Sequence, residues 1–67
     1  MHSQSQESSL VKAGDLIVKD QGNFDFGKTG LVLRVEVNSA GYKFVKVLVD
    51  RSVKNWWAEY VSVIYER

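Results

Sequence analysis

The sequence predicts an all-β domain: a small barrel of five short strands, with a single 3₁₀ turn before the last strand and a flexible N-terminal arm. Three observations carry this expectation. From residue 10 onward, apolar and polar residues alternate at a period near two, the repeat of a strand and not of a helix. Turn-forming clusters interrupt the alternation at short intervals: Ala13-Gly14-Asp15, the stretch 20–30, Asn38-Ser39-Ala40-Gly41 and Asp50-Arg51-Ser52. No amphipathic helix is available to cover one face of an open sheet. Closing the sheet on itself would bury that face and protect its edges.

Composition narrows the function classes. Sixty-seven residues make one small domain with a modest core, and the absence of cysteine removes both disulfides and a thiolate metal cage. Nine Lys and Arg against eight Asp and Glu leave a formal charge of +1, whereas dedicated nucleic-acid binders carry a larger basic excess. No apolar run approaches the roughly 20 residues that span a bilayer, so no membrane association is expected and the protein reads as soluble. Residues 1–9 are polar after Met1 and cannot bury enough apolar surface to offset their ordering, which divides the chain into a flexible arm (1–9) and a barrel (10–67). His2, the one histidine, lies in that arm without co-ligands, so no metal is expected.

The elements follow in order. In DLIVK, Leu16 and Val18 share one face and Ile17 and Lys19 the other. A loop of about ten residues, rich in Gly, Asp and Asn, leads to a second strand over Leu31–Val37. There Leu31, Leu33, Val35 and Val37 share one parity, and Val32, Arg34 and Glu36 the other. The third strand sets Val45, Val47 and Val49 opposite Phe44, Lys46 and Leu48. Val53 to Trp57 forms a short fourth strand, Ala58-Glu59-Tyr60 the 3₁₀ turn, and Val61 to Tyr65 the fifth strand.

Gly22 to Thr29 spells the literal spacing of a phosphate-binding loop, G-N-F-D-F-G-K-T. Such a loop works by opening a helix whose N-terminal N–H groups face the phosphates. Here a glycine and a strand follow Thr29, and Asp25 inside the loop would repel an anion. The triplet is a corner, with Gly27 and Gly30 permitting a tight entry into the second strand. Asp15, Asp20 and Asp25 read as turn formers. No His/Cys/Asp arrangement for nucleophilic catalysis is present, so neither an enzyme nor a cofactor is expected.

Eight aromatic residues are more than so small a core needs. Phe24 and Phe26 flank Asp25 in the long loop, Tyr42 and Phe44 open the third strand, and Trp56 and Trp57 are adjacent. Neighbours in a strand point to opposite faces, so at least one tryptophan approaches the surface. The plain alternative has Phe26, Phe44, one tryptophan and Tyr60 filling the core. Lys28, Arg34 and Lys46 are the candidate nucleic-acid contacts among otherwise interspersed charges.

The order GD-L-x-V, FGKTGLVLRV, KVLVD and a Trp-containing ending with A-E-Y-V-x-V-I resembles the SH3-like barrels of the KOW kind over about residues 10–65. Within that group it is most similar to short barrel proteins encoded by tailed bacteriophages. The resemblance implies a five-stranded SH3-like barrel whose business is binding. It also implies that the long first loop and the segment before the last strand border one side, where Phe24, Phe26, one tryptophan and Tyr60 line a groove. Phe24, Phe26, Trp57 and Tyr60 are therefore the expected partner-binding residues. The implied function is a non-catalytic protein-interaction module that docks through this aromatic groove and the N-terminal arm, such as a capsid- or tail-associated accessory protein in virion or host cytoplasm, with a homo-oligomer or larger assembly as one setting. The alternative is a KOW-like RNA- or DNA-binding barrel.

Overall fold

The computed structural model describes residues 11–65; the arm expected over residues 1–9 lies outside them. Five strands form one antiparallel sheet: β1 (Leu16–Lys19), β2 (Thr29–Val37), β3 (Lys43–Val49), β4 (Ser52–Trp57) and β5 (Val61–Tyr65). A single 3₁₀ turn, Ala58–Tyr60, separates β4 from β5. The spatial order is β4-β3-β2-β1-β5, so β2, β3 and β4 form a meander while the last strand returns to pair with the first. The all-β class, the five strands and the helical turn therefore agree with the sequence reading. The second strand starts two residues earlier than expected, at Thr29, and takes in Gly30.

Valine dominates the core, which consists of Val11, Ile17, Val32, Val45, Val47, Val49, Trp56, Ala58 and Val61. β-Branched side chains are already restricted in χ1 and pack well on a pleated surface. Burying each large apolar side chain contributes about 1.5–3 kcal/mol. On β1 and β3 the alternation falls as the sequence predicts: Ile17 and Lys19 are buried, as are Val45, Val47 and Val49.

The second strand departs from its predicted parity. Val32 is buried, whereas Leu31 and Leu33 are exposed. The β2–β3 register explains this: Val32 pairs with Val47 and Arg34 with Lys46, leaving Leu33 as the extra residue of a bulge. An added residue shifts the inward face by one position, so Val35, opposite Val45, packs against the core. A strict alternation of Leu31, Leu33, Val35 and Val37 cannot survive that insertion. A second irregularity, in β5 between the partners of Leu16 and Ile17, similarly leaves Ile64 between Val63 and Tyr65.

The two glycines of the corner act differently. Gly27 sits at φ +86, in the left-handed region, with open space around it. At Gly30 a Cβ would lie 2.8 Å from Val49 Cγ2 and 3.1 Å from the Leu48 carbonyl oxygen, so the close approach of β3 excludes a side chain there. The β3–β4 hairpin turns on Asp50 and Arg51, both at positive φ (51° and 69°), between the paired Val49 and Ser52. That geometry matches the twist of the flanking strands. Asp15 is buried and accepts hydrogen bonds from the Lys12 backbone N–H (3.0 Å) and ammonium (3.1 Å), fixing the entry into β1.

Candidate functional site

The loop between β1 and β2 is cross-braced. The backbone N–H of Gly27 donates to the Lys19 carbonyl at 2.7 Å, and that of Lys19 to the Lys28 carbonyl at 2.8 Å, pinning the two ends together. Asp25 occupies the left-handed region at φ 58, which a short polar side chain tolerates. Its carboxylate accepts the Trp56 indole N–H at 3.0 Å and lies 3.6 Å from the Lys54 ammonium. The Trp56 hydrogen bond, aided by the charge of Lys54, holds the Asp25 carboxyl below its ordinary value of 3.8, against the opposing effect of desolvation.

Lys19 lies beneath the loop and is only 4% exposed. Its ammonium donates to the Phe24 carbonyl oxygen and sits 5.9 Å from the Trp56 ring and 5.8 Å from the Tyr60 ring. A buried ammonium needs such partners, and two aromatic faces and a carbonyl supply them. Gly22, at φ +80, lets the chain pass over Tyr60, where a Cβ would sit 3.3 Å from the ring. These contacts hold the backbone under Phe24 and Phe26, yet the two side chains remain 75% and 64% exposed. The Lys54 ammonium lies 5.9 Å from the Phe24 ring centroid.

The four expected partner-binding residues therefore fall in two places. Phe24 and Phe26 crown the loop, with Tyr60 half-buried below it against Lys19. The tryptophan that meets this loop is Trp56, which is 2% exposed and points inward. Trp57 points the other way and is 44% exposed. Its ring stands nearly perpendicular to Tyr42 (centroids 6.2 Å apart, 74°) and to Phe44 (6.3 Å, 82°). Phe44 and Trp57 are also directly paired across β3 and β4. Of the residues weighed as core filling, only the tryptophan is fully buried; Phe44 and Tyr60 are partly covered and Phe26 is exposed.

Of the three candidate nucleic-acid contacts, the register sets Arg34 directly opposite Lys46. Neither is without local company: Arg34 pairs with Glu36 at 2.6 Å, and the Lys46 ammonium donates to Asn55 Oδ1 at 3.2 Å. Lys28 instead pairs with Asp50 at 3.1 Å, beside the β3–β4 turn.

Sequence reasoning passed over Lys19 and Lys54 as parts of the loop support. A lysine on the inward parity of β1 was the available signal for Lys19. Glu59 was read only as one of the interspersed acids, with no shown convergence on Asp25; with Tyr42 and Trp57 it lines an open cleft of about 280 Å³. Comparison with protein-family models, with curated proteins and with solved structures finds no match to this chain.

Proposed function

We propose that the protein is a non-catalytic protein-interaction module that docks through Phe24 and Phe26. The observation that supports this reading is the contrast between a braced backbone and exposed rings. Hydrogen bonds from Lys19, Gly27 and Trp56 hold the loop, while its two phenylalanines face water. Exposing large apolar side chains on an ordered loop costs free energy that burial against a partner recovers. Pre-set aromatic anchors also lose little conformational entropy on binding.

A small SH3-like barrel is the architecture that fits best. A flat five-stranded sheet would hold β4 and β5 about 19 Å apart at ordinary strand spacing. One 3₁₀ turn, Ala58–Tyr60, joins them, and such a turn advances only about 2 Å per residue. The sheet must therefore curl strongly, which favours closure. On the resemblance to phage-encoded barrels, virion components are the first partners to try.

Affinity capture with the wild-type protein and with a Phe24→Ala/Phe26→Ala variant tests the reading, followed by titration of the purified captured protein. Loss of binding in a folded variant supports it; equal binding refutes it. A second reading, an RNA- or DNA-binding barrel, draws on the Arg34–Lys46 juxtaposition. It requires binding to single-stranded RNA or DNA that falls steeply with salt and weakens on substituting Arg34 or Lys46.

A further inference from the structure

We infer that the cleft bounded by Tyr42, Trp57 and Glu59 takes the positively charged side chain of a protein partner. Its lining includes no residue of the phenylalanine loop, and it rests on the protein-partner reading only for the source of the cation.

The charge pattern of the cleft selects its occupant. Aromatic rings carry negative potential on their faces, and cations within about 6 Å of a centroid are attracted. Tyr42 and Trp57 are inclined at 74° to one another, so they form a corner and not a single flat platform. Glu59 adds a carboxylate to the same cleft, and among the described residues it makes no ion pair. A volume of about 280 Å³ accommodates an alkyl stem together with its charged head. A phosphate would meet Glu59 as a like charge, which sets this cleft against a nucleic-acid backbone. A second cleft of similar size that Trp57 also borders is lined by Asn38, Phe44, Asn55 and Trp56, with amides where the first has an acid. The preference for a cation therefore belongs to the Glu59 side.

The corner is also held in place before any ligand arrives. Asn38 Oδ1 accepts the backbone N–H groups of Tyr42 (2.9 Å) and Ala40 (3.0 Å), and the Asn38 N–H donates to the Tyr42 carbonyl at 2.9 Å. Trp57 is set by its pairing with Phe44. Glu59 rides on the 3₁₀ turn, which is anchored by buried Ala58 and closed by the Val61 N–H on the Ala58 carbonyl. Pre-set geometry reduces the ordering cost of binding.

The test uses blocked tripeptides, Ala-Lys-Ala, Ala-Arg-Ala and the neutral Ala-norleucine-Ala, with a uridine pentanucleotide as the anionic probe. Titrations are followed by NMR at the Trp57 indole proton and the backbone amides of Tyr42 and Glu59. The lysine or arginine peptide should shift all three signals saturably, with the stronger of the two identifying the preferred side chain. Glu59→Gln should weaken that binding by about threefold, in keeping with the modest worth of an exposed ion pair. Asp50→Asn, which removes an exposed acid outside the cleft, should leave it unchanged. Equal shifts with norleucine would overturn the proposal by showing an apolar cleft. Stronger shifts with the oligonucleotide would overturn it in favour of base stacking. Neither result depends on whether the phenylalanine loop binds a protein, so the two ideas fail separately.

Discussion

The indole N–H of Trp56 donates to the Asp25 carboxylate at 3.0 Å, joining β4 to the β1–β2 loop across 31 residues of sequence. This bond reaches from the core to the one loop that carries two exposed phenylalanines. Asp25→Ala should leave the sheet folded while freeing the loop. The expected outcome is faster solvent exchange of the Trp56 indole proton and of the loop amides, with the β2 and β3 amides still protected. Unchanged exchange at Trp56 would show that the bond does not hold the loop.

The same contact makes loop order depend on acidity. The folded-state pKa of Asp25 is depressed, so its contribution is present above the ordinary carboxylate value of 3.8 and is lost as pH falls through the lower folded value. Lowering the pH below about 4 should therefore loosen the loop in the wild type more than in Asp25→Asn, which has no charge to lose. Indole and amide shifts measured from pH 7 to pH 2.5 check this. Equal pH responses in the two proteins would contradict it.

Gly30→Val should be among the most damaging single changes. The first added carbon would lie 2.8 Å from Val49 and 3.1 Å from the Leu48 carbonyl, and the branches of valine would add to the overlap. Overpacking of this kind costs about 1–3 kcal/mol. That is a large share of the stability of so small a domain. Urea denaturation should show a lower midpoint with an unchanged slope. Gly27→Ala, which meets only the positive-φ penalty, should cost less.

The β3–β4 turn offers a stabilising change. Arg51 holds φ 69 without the local hydrogen bonding that lets Asn or Asp tolerate this region. Arg51→Gly should stabilise the hairpin by about 0.5 kcal/mol, since an Asp-Gly pair is favoured at a two-residue turn with both φ positive. A small rise in melting temperature is the expected reading, and a fall would show that the arginine side chain contributes more than its backbone costs.

Trp57→Ala should separate fold from recognition. The side chain is partly exposed and its ring contacts are with Tyr42 and Phe44 on the outer face, so its loss should leave the valine core and the Trp56–Asp25 bond intact. Circular dichroism should remain that of the wild type while cation binding at the Tyr42 corner disappears. An unfolded variant would contradict this division between the two tryptophans.

The strands were legible because each leaves a local trace. Val45, Val47 and Val49 alternate cleanly, and the turns open on Asn38 and Asp50, residue types that favour turns. The bulge at Leu33 left no such trace, since LVLRV reads as an unbroken alternation and only pairing with β3 exposes the extra residue. The adjacent tryptophans announced that they would diverge without saying which faced inward. That was settled by register, which sets Trp56 opposite inward-facing Val45. Phe24 and Phe26 were visible as candidates from their place in a polar loop. Their bracing was not, because Lys19 reaches the Phe24 carbonyl from β1 while Lys54 and Trp56, distant in sequence from the loop they hold, reach Asp25 from β4.

The most direct measurement is backbone relaxation by ¹⁵N NMR across residues 20–28, combined with solvent accessibility of the Phe24 and Phe26 rings. A braced docking loop predicts order parameters near those of the strands, about 0.85 on the usual scale, with both rings open to solvent. Order parameters below about 0.6 through Phe24–Gly27 would contradict it, because a loop mobile on that timescale presents no fixed pair of anchors.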